Sequence, residues 1–390
     1  MMTSKARVNA AINHQEADRV PYDIGGTTVT TITKNAYKAA MSHRGLSPEY
    51  KMPEIDPIQQ IVMPIEENLT YLKSDTRRIG SQRIPEYAKR KRVSGSIETV
   101  TDFYGCDWQW DSKNDFYFNQ KTFPLEEYET LSEAIPFLYR PDWDDFAQIL
   151  KRDLSQQITT AKDYCCVADR NTAGLTENSL RIRGYEKWYM DTALDPEGVE
   201  ALLDILLEDK IKYWDEIINW ATDNNHQDQI DVISESDDLG SQNATILSVD
   251  TLRQMIIPRF KTLYTHIKKR LPDVKIFMHS CGAIREIIPD LIDAGVDILN
   301  PVQYTAKGMD LNGLKKDFGK DLVFWGGGID TQAILNKATP SEVRDTVKKV
   351  LDIMAPGGGF VFTTIHNIQD DVSPENFWAM WETLQEHGKY

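Results

Sequence analysis

The chain has 390 residues, 41% hydrophobic and 27% charged, which suits one large globular domain or two ordinary ones. Its net charge of −16 sets most of the surface against phosphate backbones and anionic lipid, so nucleic acid and membranes are expected not to be partners. Four cysteines exclude a disulfide scaffold and fit a reducing compartment, and 22 glycines with 17 prolines leave no collagen-like or low-complexity tract.

The first segment, MMTSKARVNAAINHQEADRVP, has no apolar core of a signal peptide and reads as an amphipathic helix. No window holds the 18 or so apolar residues of a membrane helix, and the expected location is the cytoplasm. RVPYDIGG then reads as a strand. Residues 50–145 are irregular. They carry a basic run, Arg77–Arg78 to Arg83 and on through YAKRKRV, which reads as a solvated face. They also carry an aromatic stretch, TDFYGCDWQWDSKNDFYFNQKTFPL, which reads as hairpin strands with Val100, Phe103, Trp108 and Trp110 packing. Trp143 opens a helix.

From about residue 160 the rhythm is regular. DYCCVADRNTAG, QIDVISESDDLG, VKIFMHSCG, VDILNPVQ, LVFWGGGID and FVFTTIHNIQ are each a short apolar run followed by a helical pattern. Successive strand-then-helix units demand a parallel sheet, because parallel neighbours need a crossover. With RVPYDIGG there are at least seven strands. The fold predicted is α/β: a distorted (β/α)8 TIM barrel in a single domain over 1–390, with 45–150 as an elaboration on it. A doubly wound sheet is disfavoured, since no G-x-G-x-x-G opens a helix.

In such a barrel chemistry gathers at the carboxyl ends of the strands. Those positions hold Asp23, Asp169, Arg170, Glu235, Asp237, Asp238, His279, Cys281, Asn300, Gln303, Asp330, His366, Asn367 and Gln369. Asp250 and Ser341 read instead as helix caps. The sharpest element is His279-Ser280-Cys281-Gly282. In an extended strand residues i and i+2 share a side, so imidazole and thiol converge, and both suit zinc. A catalytic zinc needs a third protein ligand, for which His366 is the best placed. Glu235, Asp237 and Asp238 are the alternatives, and a hydrogen-bonding imidazole is the competing role for His366. The pair Cys165–Cys166 sits in an apolar strand and reads as buried small hydrophobes. The triplets Gly326–Gly328 and Gly357–Gly359 lack a following Lys-Ser or Lys-Thr and are not phosphate loops. The first ends a strand, where bare backbone admits a ligand; the second is a helix-to-strand turn. Trp325 reads as barrel filler.

RVPYDIGGTTVT, DFYGCDWQW, RGYEKWYMD, SDDLGSQNATILS, HSCGAIREIIPDLIDAGVDILNPVQ, FWGGGIDTQ and IHNIQDDVSPENFWAM occur in this order. Together they make the chain resemble the uroporphyrinogen decarboxylase superfamily, in the branch shared with corrinoid-dependent methyltransferases. The resemblance implies a distorted TIM barrel with its cleft at the carboxyl mouth, and it suggests a homodimer. Decarboxylases of this superfamily carry an Arg-Gln-Ala-Gly-Arg-Tyr segment after the first strand. Here that place holds Asp23-Ile24-Gly25-Gly26-Thr27-Thr28, without arginine, which argues against tetrapyrrole decarboxylation. The methyltransferase branch holds zinc with a His-x-Cys pair and a later Cys. His279 and Cys281 match the pair, but Cys281 is the last cysteine, and the later region reads His366-Asn367-Ile368-Gln369.

The expectation is therefore a methyltransferase working with a separate corrinoid protein docked over the barrel mouth, since nothing here resembles the Asp-x-His-x-x-Gly segment of a corrinoid module. His279, Cys281 and His366 would hold zinc. Glu235 and Asp237 would be the catalytic carboxylates, and Asp23, Asn300, Gln303 and Asn367 would bind the small-molecule methyl donor or acceptor. A metal-independent decarboxylase or lyase acting on another carboxylate is the alternative, and a carrier that binds a corrinoid or tetrapyrrole without turnover is the non-enzymatic one.

Overall fold

The computed structural model describes residues 2–49, 55–81, 91–115, 117–140 and 142–390. Seven strands form one all-parallel sheet, each beside its neighbour in this order: β1 (Thr76–Ile79), β2 (Cys165–Asp169), β3 (Val232–Ser236), β4 (Lys275–His279), β5 (Ile298–Asn300), β6 (Val323–Trp325) and β7 (Phe360–Val361). The chain around Tyr22 joins the two edges. Tyr22 bridges Phe362 in parallel, and the Asp23 N–H donates to the Phe362 carbonyl. On the other side the Asp75 N–H donates to the Tyr22 carbonyl. With this eighth segment the distorted barrel predicted from the sequence is complete.

Side-chain alternation sorts the strand residues into two cores. Cys165, Val167, Val232, Phe277, Ile298, Val323, Trp325 and Val361 fill the barrel interior. Their neighbours Cys166, Ala168, Ile233, Met278, Leu299 and Phe324 face the helices in a second, larger cluster. Each fully buried Val, Leu or Ile of this kind contributes about 1.5–3 kcal/mol. Helix α1 (Ser4–Ile12), begun by the Thr3 hydroxyl accepting from the Ala6 N–H, sends Val8, Ala11 and Ile12 into the interior cluster. Arg7 ties that helix to Asp18 and Asp75, each at 2.6 Å, while Asp75 also accepts from Arg19 and from the Tyr22 N–H.

β1 was not recognisable as a strand, and the Arg77–Arg78 part of the basic run is not a solvated face, whereas Lys91 and Arg92 at the far end of the run are exposed as expected. Arg77 and Arg78 are 3% and 6% exposed. Arg77 pairs with Glu66 and lies over the Tyr164 ring, while Arg78 reaches Asp169 at 2.7 Å. Arg83 and the Tyr87–Arg90 part of the run lie outside the described residues.

The aromatic stretch does form hairpins: Ile97–Thr101 and Asp107–Asp111 are the middle strands of a four-stranded antiparallel sheet. Val100 and Trp108 are buried there, with Phe103 and Trp110 packed against them. Trp143 opens the helix Trp143–Ala161, capped by Asp142. Asp250 and Ser341 are not caps. Ser248 caps the turn before Asp250, and Thr339 forms a reciprocal capping box with Glu342, because each stands one residue ahead of the helical backbone. Cys165 and Cys166 are fully buried, as expected. No helix among the described residues is long and apolar enough to cross a membrane.

Candidate metal centre and cleft

At the carboxyl ends of β3 and β4 three ligand atoms converge. Asp238, His279 and Cys281 each present one, and all lie within 4.8 Å of one another. The Cys281 Sγ is 3.5 Å and the Asp238 Oδ1 3.6 Å from the His279 Nε2. His279 ends β4 on the inward side, in line with Phe277, and Ser280 sits beyond the strand. The Cys281 N–H donates to Asp238 at 2.8 Å, which pins the two loops together. Gly282 makes the turn possible: its φ is +91°, and a Cβ there would come within 2.4 Å of the Gly240 backbone.

The imidazole is oriented from behind. The Asn300 amide nitrogen donates to the Trp325 carbonyl at 2.6 Å, so its oxygen must face His279 Nδ1, 2.5 Å away. Nδ1 therefore carries the proton, and the Nε2 lone pair points at the thiol and carboxylate. Burial holds the His279 pKa below the ordinary value, keeping the ring neutral, although Asp238 opposes this. Burial also pushes the Cys281 thiol well up, with the Asp238 charge adding to it. A neutral imidazole backed by an amide, a thiol and a half-exposed carboxylate form a donor set that fits zinc. Zinc held by three protein ligands would keep one coordination position open, as catalytic sites do.

The other predicted residues separate into those at the cleft and those turned away from it. His366 does not join the ligand group. Its ring centroid lies 6.3 Å from that of His279, because the chain runs five residues past the end of β7 before reaching it. It lines the cleft instead, and the third residue beside His279 and Cys281 is Asp238. Gln303 also lines the cleft, its oxygen accepting from the Gly282 N–H and its nitrogen donating to Gln242. Asn300 touches His279 rather than open space, so its expected substrate contact becomes a positioning role.

Glu235 is a correction. It alternates outward with Ile233, toward helix α2 (Pro196–Asp223), where Lys210 pairs with it at 2.6 Å and the Trp214 indole donates to it at 2.7 Å. Asp237 is buried and accepts from the Thr176 and Glu177 N–H groups at the start of the helix Leu175–Arg183. Burial and the Glu177 charge raise its pKa to about 7. Asp23 spends its oxygens on the Gly26 N–H, the Thr76 hydroxyl and the Trp325 indole. Asn367 bonds Thr31, Thr28 and Gln59. Asp23, Glu235, Asp237 and Asn367 thus hold the barrel together and do not line the cleft.

Among the described residues the cleft has two lobes. The smaller, about 260 Å³, is lined by Asp238, Cys281, Gln303 and Asp330 among others. The larger, about 510 Å³, is lined by Gln59, Tyr117, Thr331, Asn336, Gln369 and Asp371. Gln332 and His366 belong to both, so the lobes meet beside the candidate metal centre. Arg170 lies deeper, 4% exposed, bonded to the Ser236 and Thr28 hydroxyls. The sequence had marked its position without giving it a role.

Fold and site together define an α/β barrel with a candidate three-ligand metal centre at its mouth. The family described as uroporphyrinogen decarboxylase (URO-D) matches residues 172–387, more than half of the chain, and the chain belongs to that family. Uroporphyrinogen decarboxylase from Chlorobium limicola is 27% identical over 146 residues, covering 37% of this chain and 39% of the relative. That from Pelodictyon phaeoclathratiforme is 27% identical over 148 residues, with the same coverage of each. The chain thus matches 39% of the length of these curated relatives. Among solved structures, a methyltransferase from Methanosarcina mazei superposes with a TM-score of 0.65 at 17% identity, covering 99% of each chain. That likeness bears on the fold.

Proposed function

We propose that the protein is a methyltransferase that moves a methyl group between a small molecule and a separate corrinoid protein, with zinc held by Asp238, His279 and Cys281. The observation that carries the reading is the convergence of those three ligand atoms at the barrel mouth, with Asn300 fixing the imidazole tautomer. The fold likeness to a methyltransferase along the whole chain supports it. Bound there, zinc would act as a Lewis acid and stabilise charge on the heteroatom that gains or loses the methyl group.

The chain's own residues supply the rest. Asn300 holds Nε2 toward the ligand group. Asp238, 43% exposed at its side chain, accepts from the Cys281 N–H with the same Oδ1 that lies 3.6 Å from the His279 Nε2. Gln303 braces the Gly282 turn, and His366 stands where the two lobes meet, as a neutral hydrogen-bonding group. The corrinoid partner would cover the mouth, where the cleft opens.

The test is zinc content combined with a methylcobalamin absorbance assay across candidate donors. About one zinc per chain is expected, lost in Cys281→Ser and Asp238→Asn and retained in His366→Ala. A chain that is fully active in methyl transfer with no metal would overturn the zinc assignment. Metal-free decarboxylation of a carboxylate substrate would favour the lyase instead.

A further inference from the structure

We infer that Ser280, the residue between the two members of the His-x-Cys pair, is a positioning residue that sets Asp238 beside them. The inference deepens the proposed metal centre and rests on that reading.

His279 and Cys281 share one side of the extended chain, so Ser280 between them faces the other. The extended geometry runs that far, because the Ser280 N–H still donates to the Asn300 carbonyl at 2.7 Å. The Ser280 side chain is fully buried, and its hydroxyl accepts from the Leu239 N–H at 3.0 Å. Leu239 directly follows Asp238 and is also fully buried, with its carbonyl accepting from the Ile246 N–H. On the other flank, the Asp237 N–H donates to the His279 carbonyl at 2.9 Å, while the Asp237 carboxylate is anchored on the Thr176 and Glu177 N–H groups. Asp238 is thus clamped from both sides by the end of β4. His279 holds the residue before it, and Ser280 holds the residue after it.

The clamp matters because Asp238 itself is half-exposed. A carboxylate at the edge of solvent keeps its aim only while its backbone is fixed. A buried backbone N–H requires an acceptor. With alanine at position 280 the Leu239 N–H loses its acceptor, and the turn that carries Asp238 must shift to find another. The imidazole and thiol, on the opposite side of the chain, keep their own supports. Ser280 therefore serves the third ligand as Asn300 serves the imidazole.

Cobalt(II), a coloured substitute for zinc, tests this on the full chain by chelator competition and absorption spectroscopy, without turnover. Ser280→Ala is expected to weaken cobalt about 10- to 100-fold, while the thiolate-to-cobalt band from Cys281 persists. In an Asp238→Ala background, titrated at higher cobalt, the same substitution should cost less than about threefold, because the ligand it positions is already gone. Ser280→Thr and Ser280→Val have the same shape and differ in the hydroxyl, so they isolate the hydrogen bond even where Ser280→Ala misfolds. The threonine chain should bind cobalt about tenfold more tightly than the valine chain. An unchanged affinity in Ser280→Ala, an equal loss in the Asp238→Ala background, or equal affinities of the threonine and valine chains would overturn the inference and leave the metal centre standing. A wild-type chain that takes up neither cobalt nor zinc would overturn the metal centre itself, and this inference with it.

Discussion

Replacing Lys210 with Met tests the reassignment of Glu235 directly. Lys210 and Glu235 are each 3% exposed at the side chain and 2.6 Å apart, so the substitution leaves a carboxylate in the helix-facing core with only the Trp214 indole for company. Breaking one partner of a buried pair costs about 3–5 kcal/mol. Removing the second partner as well, in Lys210→Met/Glu235→Leu, abolishes the stranded charge. What remains is the orphaned Trp214 N–H, worth about 1–3 kcal/mol. The double variant is therefore expected to be more stable than Lys210→Met alone, a coupling that urea denaturation of the four species measures as a double-mutant cycle. Zinc content should be unchanged in Glu235→Gln, because Glu235 lies on the far side of β3 from the ligand group. A cost below about 1 kcal/mol for Lys210→Met would refute the energetic reasoning. Loss of zinc in Glu235→Gln would return the residue to the cleft.

Asn300→Ala should weaken zinc about 10- to 100-fold in a chelator competition, because the imidazole loses the acceptor that fixes its tautomer. Gly282→Ala should destabilise the chain by at least about 1–3 kcal/mol in thermal denaturation, since alanine is strained at φ +91° and its Cβ meets the Gly240 backbone. Asp18 has its pKa lowered to about 2, chiefly by its hydrogen bonds from Arg7. Its contribution is thus present above the ordinary value of 3.8 and lost as pH falls through about 2. The carboxylate is part-exposed, so Asp18→Asn should cost only about 0.2–1 kcal/mol near neutrality, a gap that closes in melts taken across that acid window.

The regular half of the barrel was legible because its strands are apolar runs, each ending before a helical pattern. β1 was hidden by Arg77 and Arg78: two adjacent guanidiniums read as surface, and only the tertiary positions of Glu66, Tyr164 and Asp169 neutralise them inside. The His279–Cys281 pair was visible because it is local. The proposed third ligand was not, since Asp237 and Asp238 are adjacent in sequence and only the turn after β3 sends one to a helix end and the other to the cleft. Glu235 was misplaced for want of phase. Alternation along β3 puts Val232, Ser234 and Ser236 on one side, but the sequence alone does not say which side is inner. Asp23, Asn300 and Asn367 were identified as polar groups at strand ends, and hydrogen bonds across distant segments consume them.

Trp325 links the closing segment of the barrel to the side chains at its mouth. Its ring nitrogen grips Asp23 in the segment that shuts the barrel, while its carbonyl sets the Asn300 amide that aims the imidazole. The seam where the first stave meets the last is thereby wired to the candidate metal ligands through a short relay of fixed dipoles. Loosening that seam should blunt metal capture before any helix melts, making metal uptake an early gauge of how tightly the barrel is shut.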